Sequence, residues 1–126
     1  MTEETVSPTT LVLGASANPT RYSYLATQRL LNRGHRVCLV GARPGVLLEH
    51  VIHTDLTSCE APVDTVTLYV GAARHGDWTE EFRRLGVRRV VVNPGTEHPA
   101  LEDRLRDVGL EVIRGCTLVM LASGTY

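Results

Sequence analysis

The sequence predicts an α/β fold built on a mostly parallel sheet, and three observations predict it. Short apolar runs suited to buried strands alternate along the chain with stretches whose apolar residues recur at helical spacing. Three of those helical stretches end at a glycine, Gly34, Gly86 and Gly109, and each glycine is followed shortly by the next apolar run. The length of 126 residues suits one layered domain and is too small for a separate catalytic one.

The first strand is predicted at Thr10 to Leu13, running directly into the small residues Gly14, Ala15 and Ser16. A helix follows from about Tyr22, with Tyr22, Ala26 and Leu30 on its buried face and Thr27, Arg29 and Arg33 toward water. Arg36 to Val40 forms the second strand, broken by Gly41 and by Pro44-Gly45. The stretch from Pro44 to Pro62 carries the weakest pattern: a short extra strand around Val51 to His53, then an irregular crossover where another helix is expected. Thr65 to Val70 is a strand. Trp78, Phe82 and Leu85 mark the next helix, with Asp77 and Glu80 at capping-box spacing. Arg88 to Val92 is a strand, Pro99 opens a helix carrying Leu101, Leu105 and Val108, and Leu110 to Ile113 closes the series. An internal repeat is the alternative source of the recurring helix-glycine-strand phrase, but its loops differ in length and chemistry, so fold periodicity explains it better. Alternation of strand and helix is what right-handed crossovers of a parallel sheet require. The expectation is a single Rossmann-like three-layer domain over residues 10–126, with about five strands, preceded by a loose tail at 1–9.

Composition narrows the partners. With 43% hydrophobic and 21% charged residues and a formal net charge of -1, the chain gives no electrostatic reason to expect nucleic acid. The start MTEETVSPTT lacks the basic and apolar segments of a signal peptide, and no apolar run approaches membrane-spanning length. Cys38, Cys59 and Cys116 are odd in number and widely spaced, without zinc-like clustering, so a reducing cytoplasm and no metal are expected.

In an open parallel sheet ligands lie beyond the carboxyl ends of the strands, which directs attention to the loop from Gly14 to Ser23. Gly14 permits a tight turn, and Ser16, Asn18, Thr20 and Ser23 supply polar groups at the start of a helix whose free N–H groups attract phosphate. Arg21 adds a forked cation. A pyrophosphate suits such a loop; helix capping with a solvated Arg21 is the plainer reading. The fingerprint GxGxxG is absent, and Arg43 stands near the end of the second strand in place of the acidic residue that grips an NAD ribose. An arginine there suits a phosphorylated ribose, found in both coenzyme A and NADP, or is surface decoration.

The sequence resembles the small stand-alone CoA-binding proteins, whose domain is similar to the CoA-binding domain of succinyl-CoA synthetase. The resemblance rests on GASANPTRYSYLATQRLLNRGHRVCLVG, VVVNPGTEHPALEDRL and GLEVIRGCTLVML, and extends over nearly the whole chain. Gly14, Ser16, Pro19, Arg21 and Ser23 match the family's series position by position. The segment from Cys116 to Leu121 is similar to one branch. The chain departs at Val40-Gly41-Ala42-Arg43-Pro44, where many relatives have Val-Asn-Pro. The resemblance implies binding of coenzyme A or an acyl-CoA in a Rossmann-like domain, and no particular reaction or protein partner. The expected cofactor-binding residues are Gly14, Ala15, Ser16, Asn18, Arg21, Ser23 and Arg43, with Gly71, Arg74 and His75 after the Thr65 strand, Asn93, Pro94 and Gly95 after the next, and Cys116.

Catalysis finds little support. His35, His50, His53, His75 and His98 belong to no metal or nucleophile motif. Glu97 is the one candidate general base, but a lone carboxylate at the start of the Pro99 helix is better explained by the helix dipole. Cys116 has two readings: a thiol near the reactive end of coenzyme A, or a small apolar residue packed beside Leu118 to Leu121. The sequence therefore leans toward a binding module, with an enzyme using NADP(H) or an acyl-CoA as the alternative.

Overall fold

The structure is a computed structural model that describes residues 8–71, 74 and 76–126; His75 and most of the expected tail lie outside the described residues. The elements run β1 (Thr9–Leu13), α1 (Tyr22–Asn32), β2 (Arg36–Val40), β3 (Gly45–Leu47), β4 (His50–His53), a 3₁₀ turn (Leu56–Ser58), β5 (Thr65–Leu68), α2 (Thr79–Leu85), β6 (Arg89–Val92), α3 (Pro99–Asp107), β7 (Glu111–Arg114) and α4 (Thr117–Ser123). The sheet order is β3-β4-β2-β1-β5-β6-β7, parallel throughout except for the β3–β4 hairpin. The expected strands all form. The strand placed at Val51 to His53 is β4, which gains an antiparallel partner and brings the sheet to seven strands.

Strand alternation sorts the core into two halves. Leu11, Leu13, Val66, Leu68, Val90 and Val92 face Phe82 and Leu85 of α2 and Leu101 and Leu105 of α3. Val12, Leu39 and Ile52 face Leu30 of α1 and Leu121 of α4 on the other side. The three layers are thus α1/α4, sheet and α2/α3.

Four local features differ from the sequence expectation. On α1 the buried face is Ser23, Ala26, Thr27 and Leu30, while Tyr22 is 74% exposed. Thr27 tolerates full burial because its hydroxyl donates to the Ser23 carbonyl at 2.8 Å. The Asp77/Glu80 capping box does not form: Asp77 accepts from Thr79 N at 3.2 Å and Glu80 pairs with Arg83 instead. A reciprocal cap sits at α3, where His98 Nδ1 accepts from Leu101 N at 3.1 Å and Glu102 accepts from His98 N at 2.8 Å. Val108, expected on α3's buried face, is the exposed residue that ends the helix. The apolar run after Cys116 is α4, an element that the sequence pattern did not reveal.

Between β4 and β5 the crossover holds only the 3₁₀ turn, and a disulfide joins Cys38 of β2 to Cys59 just after that turn. The cysteine spacing carried no sign of this bond. It closes the face of the sheet where a crossover helix would otherwise pack, with Leu56, Cys59 and Val63 completing the core there.

Candidate functional site

β1 lies at the centre of the sheet, with β2 on one side and β5 on the other, so the chain leaves β1 one way and returns to build the other half. The carboxyl ends of β1 and β5 form the switch point where such sheets open a crevice. A cleft of about 1130 Å³ occupies that edge, slightly larger than the usual size range of small-molecule pockets.

The β1–α1 loop makes its floor. Gly14 and Ala15 donate their backbone N–H to the Val40 carbonyl at 2.8 and 3.0 Å, folding the loop over the end of β2. Two glycines allow this. Gly14 has φ of +102°, and a side chain there would meet the Tyr69 backbone; a side chain at Gly41 would overlap the Ala15 carbonyl. Sequence reasoning identified Gly14 but not Gly41, whose role depends on a contact between distant loops.

Beyond Ala15 the loop is held by its own polar groups. Ser16 Oγ accepts from Asn18 N at 3.1 Å, and Asn18 Oδ1 accepts from Thr20 N and Thr20 Oγ1 at 3.0 and 2.8 Å. Arg21 then occupies the α1 N-cap, and its side chain makes no capping bond. The first turn of α1 thus presents its positive end to the cleft without a side-chain cap, with Ser23 buried beside it.

Arg21, Arg43 and Arg74 line the cleft, all exposed, and among the described residues none of them forms an ion pair. Asp55 and Glu81 are the acidic members of the lining. Asp55 caps the 3₁₀ turn: the Thr57 backbone N–H donates to it at 2.9 Å and holds its carboxyl below the usual value. Tyr69 forms part of the inner wall, and burial pushes its phenol up to about 12, so it stays neutral near pH 7. Trp78 contributes apolar surface. Among the described residues no group of three or more histidine, cysteine or acidic side chains is placed to hold a metal ion.

Most of the expected site residues meet in this space. Gly14, Ala15, Ser16, Asn18, Arg21, Ser23 and Arg43 converge on the cleft, as do Gly71, Arg74, Pro94 and Gly95. Asn93 and Cys116 do not line it. The Asn93 side chain is buried, donating to Thr67 Oγ1 and the Leu68 carbonyl at 2.8 and 2.9 Å and accepting from Thr117 N at 2.8 Å. It ties β5 and β6 to the start of α4. Cys116 is the partly buried N-cap of α4. Glu97 accepts from Gly95 N at 3.0 Å, which fixes its own loop. Thr54, Leu56 and Thr57 also line the cleft. They come from the irregular crossover, where no motif signalled them.

Fold and cleft together define a Rossmann-like α/β domain with a cationic crevice at the switch point of its sheet. The chain belongs to the family described as CoA binding domain, whose model matches residues 8–122. It is 40% identical to a protein whose crystal structure is described only as that of an uncharacterized protein, with a TM-score of 0.88 over 97% of this chain and 100% of that one. A Thermus thermophilus structure at 24% identity aligns with a TM-score of 0.83 over 95% of this chain and 91% of its own. A hypothetical protein from Pyrococcus horikoshii, 18% identical, aligns with a TM-score of 0.83 over 90% and 81% of the two chains. These last two share the fold. No curated protein matches the chain.

Proposed function

We propose that this protein binds coenzyme A or an acyl-CoA in the cleft, as a small cytoplasmic module that carries, senses or presents the cofactor. The observation that carries the reading is the cationic surround of the start of α1: an uncapped helix end beside Arg21, with Arg43 and Arg74 around the same space and, among the described residues, in no ion pair. A diphosphate is the group this donor set suits, because backbone N–H groups and forked guanidinium donors both favour phosphate oxygens. In this reading the loop Gly14 to Ser23 holds the diphosphate and Arg43 reads a ribose phosphate. Membership of the CoA-binding family supports coenzyme A as the owner of both groups.

Arg43, next to the end of β2, also favours NADP(H), which shares a phosphorylated ribose. Thermal unfolding separates the two. A ligand that binds only the folded state stabilises it by about 2.7 kcal/mol at one hundred times its dissociation constant. Coenzyme A is expected to raise the midpoint progressively across a concentration series, and NADPH to do less. A strong shift with NADPH and none with coenzyme A would reverse the assignment.

A further inference from the structure

The Cys38–Cys59 disulfide fastens two walls of the cleft to each other. Cys38 lies on β2, whose end leads into the lining residues Gly41, Ala42 and Arg43. Cys59 follows the 3₁₀ turn, and residues shortly before it, Asp55, Leu56 and Thr57, also line the cleft.

The turn has few other anchors. Between Ile52 and Val63 only Leu56 and Cys59 are buried. The backbone bonds within the turn, Ser58 N to the Asp55 carbonyl at 3.2 Å and Cys59 N to the Leu56 carbonyl at 3.1 Å, are local and do not tie it to the sheet. Among the described residues one side chain hydrogen-bonds it from outside, Arg84 donating from Nη2 to the Leu56 carbonyl at 3.1 Å. The disulfide therefore supplies the covalent member of a small set of restraints. Opening it leaves two thiols in an apolar setting that can still pack but no longer fix the spacing of the walls.

We infer that this disulfide regulates the cleft: the oxidised protein holds the Asp55–Thr57 wall in the binding arrangement, and reduction releases that wall and weakens ligand binding. The inference rests on the reading of the cleft as a CoA site. In the reducing step a dithiol donates two electrons and two protons, the Cys38–Cys59 bond breaks to give two thiols, and the dithiol becomes its own disulfide. Reordering a few wall residues on binding corresponds to a loss of about tenfold in affinity.

The test uses the whole protein and a CoA thioether, whose sulfur neither reduces a disulfide nor transfers an acyl group. Affinity is measured by calorimetry on the oxidised protein, after reduction with a dithiol, and after reoxidation, with circular dichroism to follow the fold and thiol titration to follow the cysteines. The expected result is one reactive thiol under denaturing conditions before reduction and three after. The dissociation constant rises about tenfold on reduction and returns on reoxidation. Hydrogen exchange in residues 54–59 accelerates on reduction while the central strands stay protected. The Cys38→Ala/Cys59→Ala double variant is expected to bind like the reduced protein and to ignore the dithiol; should it fail to fold, the reversible reduction of the wild type decides alone. Equal affinity in both folded states overturns the inference and leaves the CoA reading standing. So does finding three thiols before reduction, or global unfolding on reduction. No binding in either state removes the CoA reading, and the inference with it.

Discussion

Replacing Glu102 with glutamine isolates the one buried carboxylate among the described residues, a group that ties the start of α3 to the end of β7. Glu102 is 2% exposed, accepts from Arg114 Nε at 2.8 Å and Nη2 at 3.1 Å, and accepts from His98 N at 2.8 Å. Glutamine keeps the shape but turns one oxygen into an NH₂ group facing a donor. Hydrogen bonds to charged groups contribute about 1.5–3 kcal/mol each. The Arg114 side chain is 52% exposed and recovers water when released, which brings the expected loss to the lower part of that range, about 2 kcal/mol. For a domain of this size that corresponds to a thermal midpoint lower by about 6–10 °C.

The loss has a defined pH dependence. The Arg114 hydrogen bonds, opposed by burial and helped by the His98 N–H, hold the Glu102 carboxyl below its ordinary value. A carboxyl lowered in the folded state stabilises the fold above the unfolded-state value and ceases to do so as pH falls through the folded-state value. Calorimetric scans of wild type and Glu102→Gln should therefore differ fully at pH 7. The gap should narrow below about pH 4.5, where the unfolded carboxyl begins to protonate. A gap that is absent at pH 7, or constant down to acid unfolding, would refute this account of the Glu102–Arg114 pair.

Two further substitutions test the framework of the cleft. Asn93→Ala removes the bridge between Thr67, Leu68 and Thr117 and should cost about 3 kcal/mol in urea unfolding, since it strands buried donors and acceptors; a cost below about 1 kcal/mol would return Asn93 to a passive role. Gly41→Ala places a methyl against the Ala15 carbonyl and should destabilise by about 1–3 kcal/mol while displacing the loop that carries Ser16 and Arg21. Wild-type stability together with wild-type ligand affinity would show that the loop yields freely there.

The order of strands and helices was legible because each strand is a compact apolar run and each of the first three helices ends before a glycine that the chain needs. The β3–β4 hairpin was not, because its turn is made by Leu48 and Glu49 with φ of 48° and 72°, a conformation usually announced by asparagine or glycine. α4 was hidden for a different reason: Thr117–Ser123 is short and its apolar residues run together, so no helical period emerges. On α1, counting apolar residues favoured Tyr22 over Thr27, but a threonine that bonds its own helix is indifferent to burial in a way hydropathy does not register. In the cleft, the Gly14–Ser23 wall was readable as one continuous loop after a strand. Gly41, Thr54, Leu56 and Thr57 reach the same space through long-range folding, and Asn93 reads as a loop residue until Thr117 is seen to lie against it.

Calorimetric titration of coenzyme A into the wild type and Arg21→Ala tests the central claim most directly. Arg21 lies at the uncapped start of α1, exposed and without an ion pair among the described residues, so its removal leaves the fold intact. The expected result is saturable binding at one site per chain, weakened in the variant by roughly 1.5–3 kcal/mol, or about 10- to 150-fold. No heat of binding with the wild type, or equal affinity in the folded variant, would contradict a phosphate-reading cleft at the Gly14–Ser23 loop.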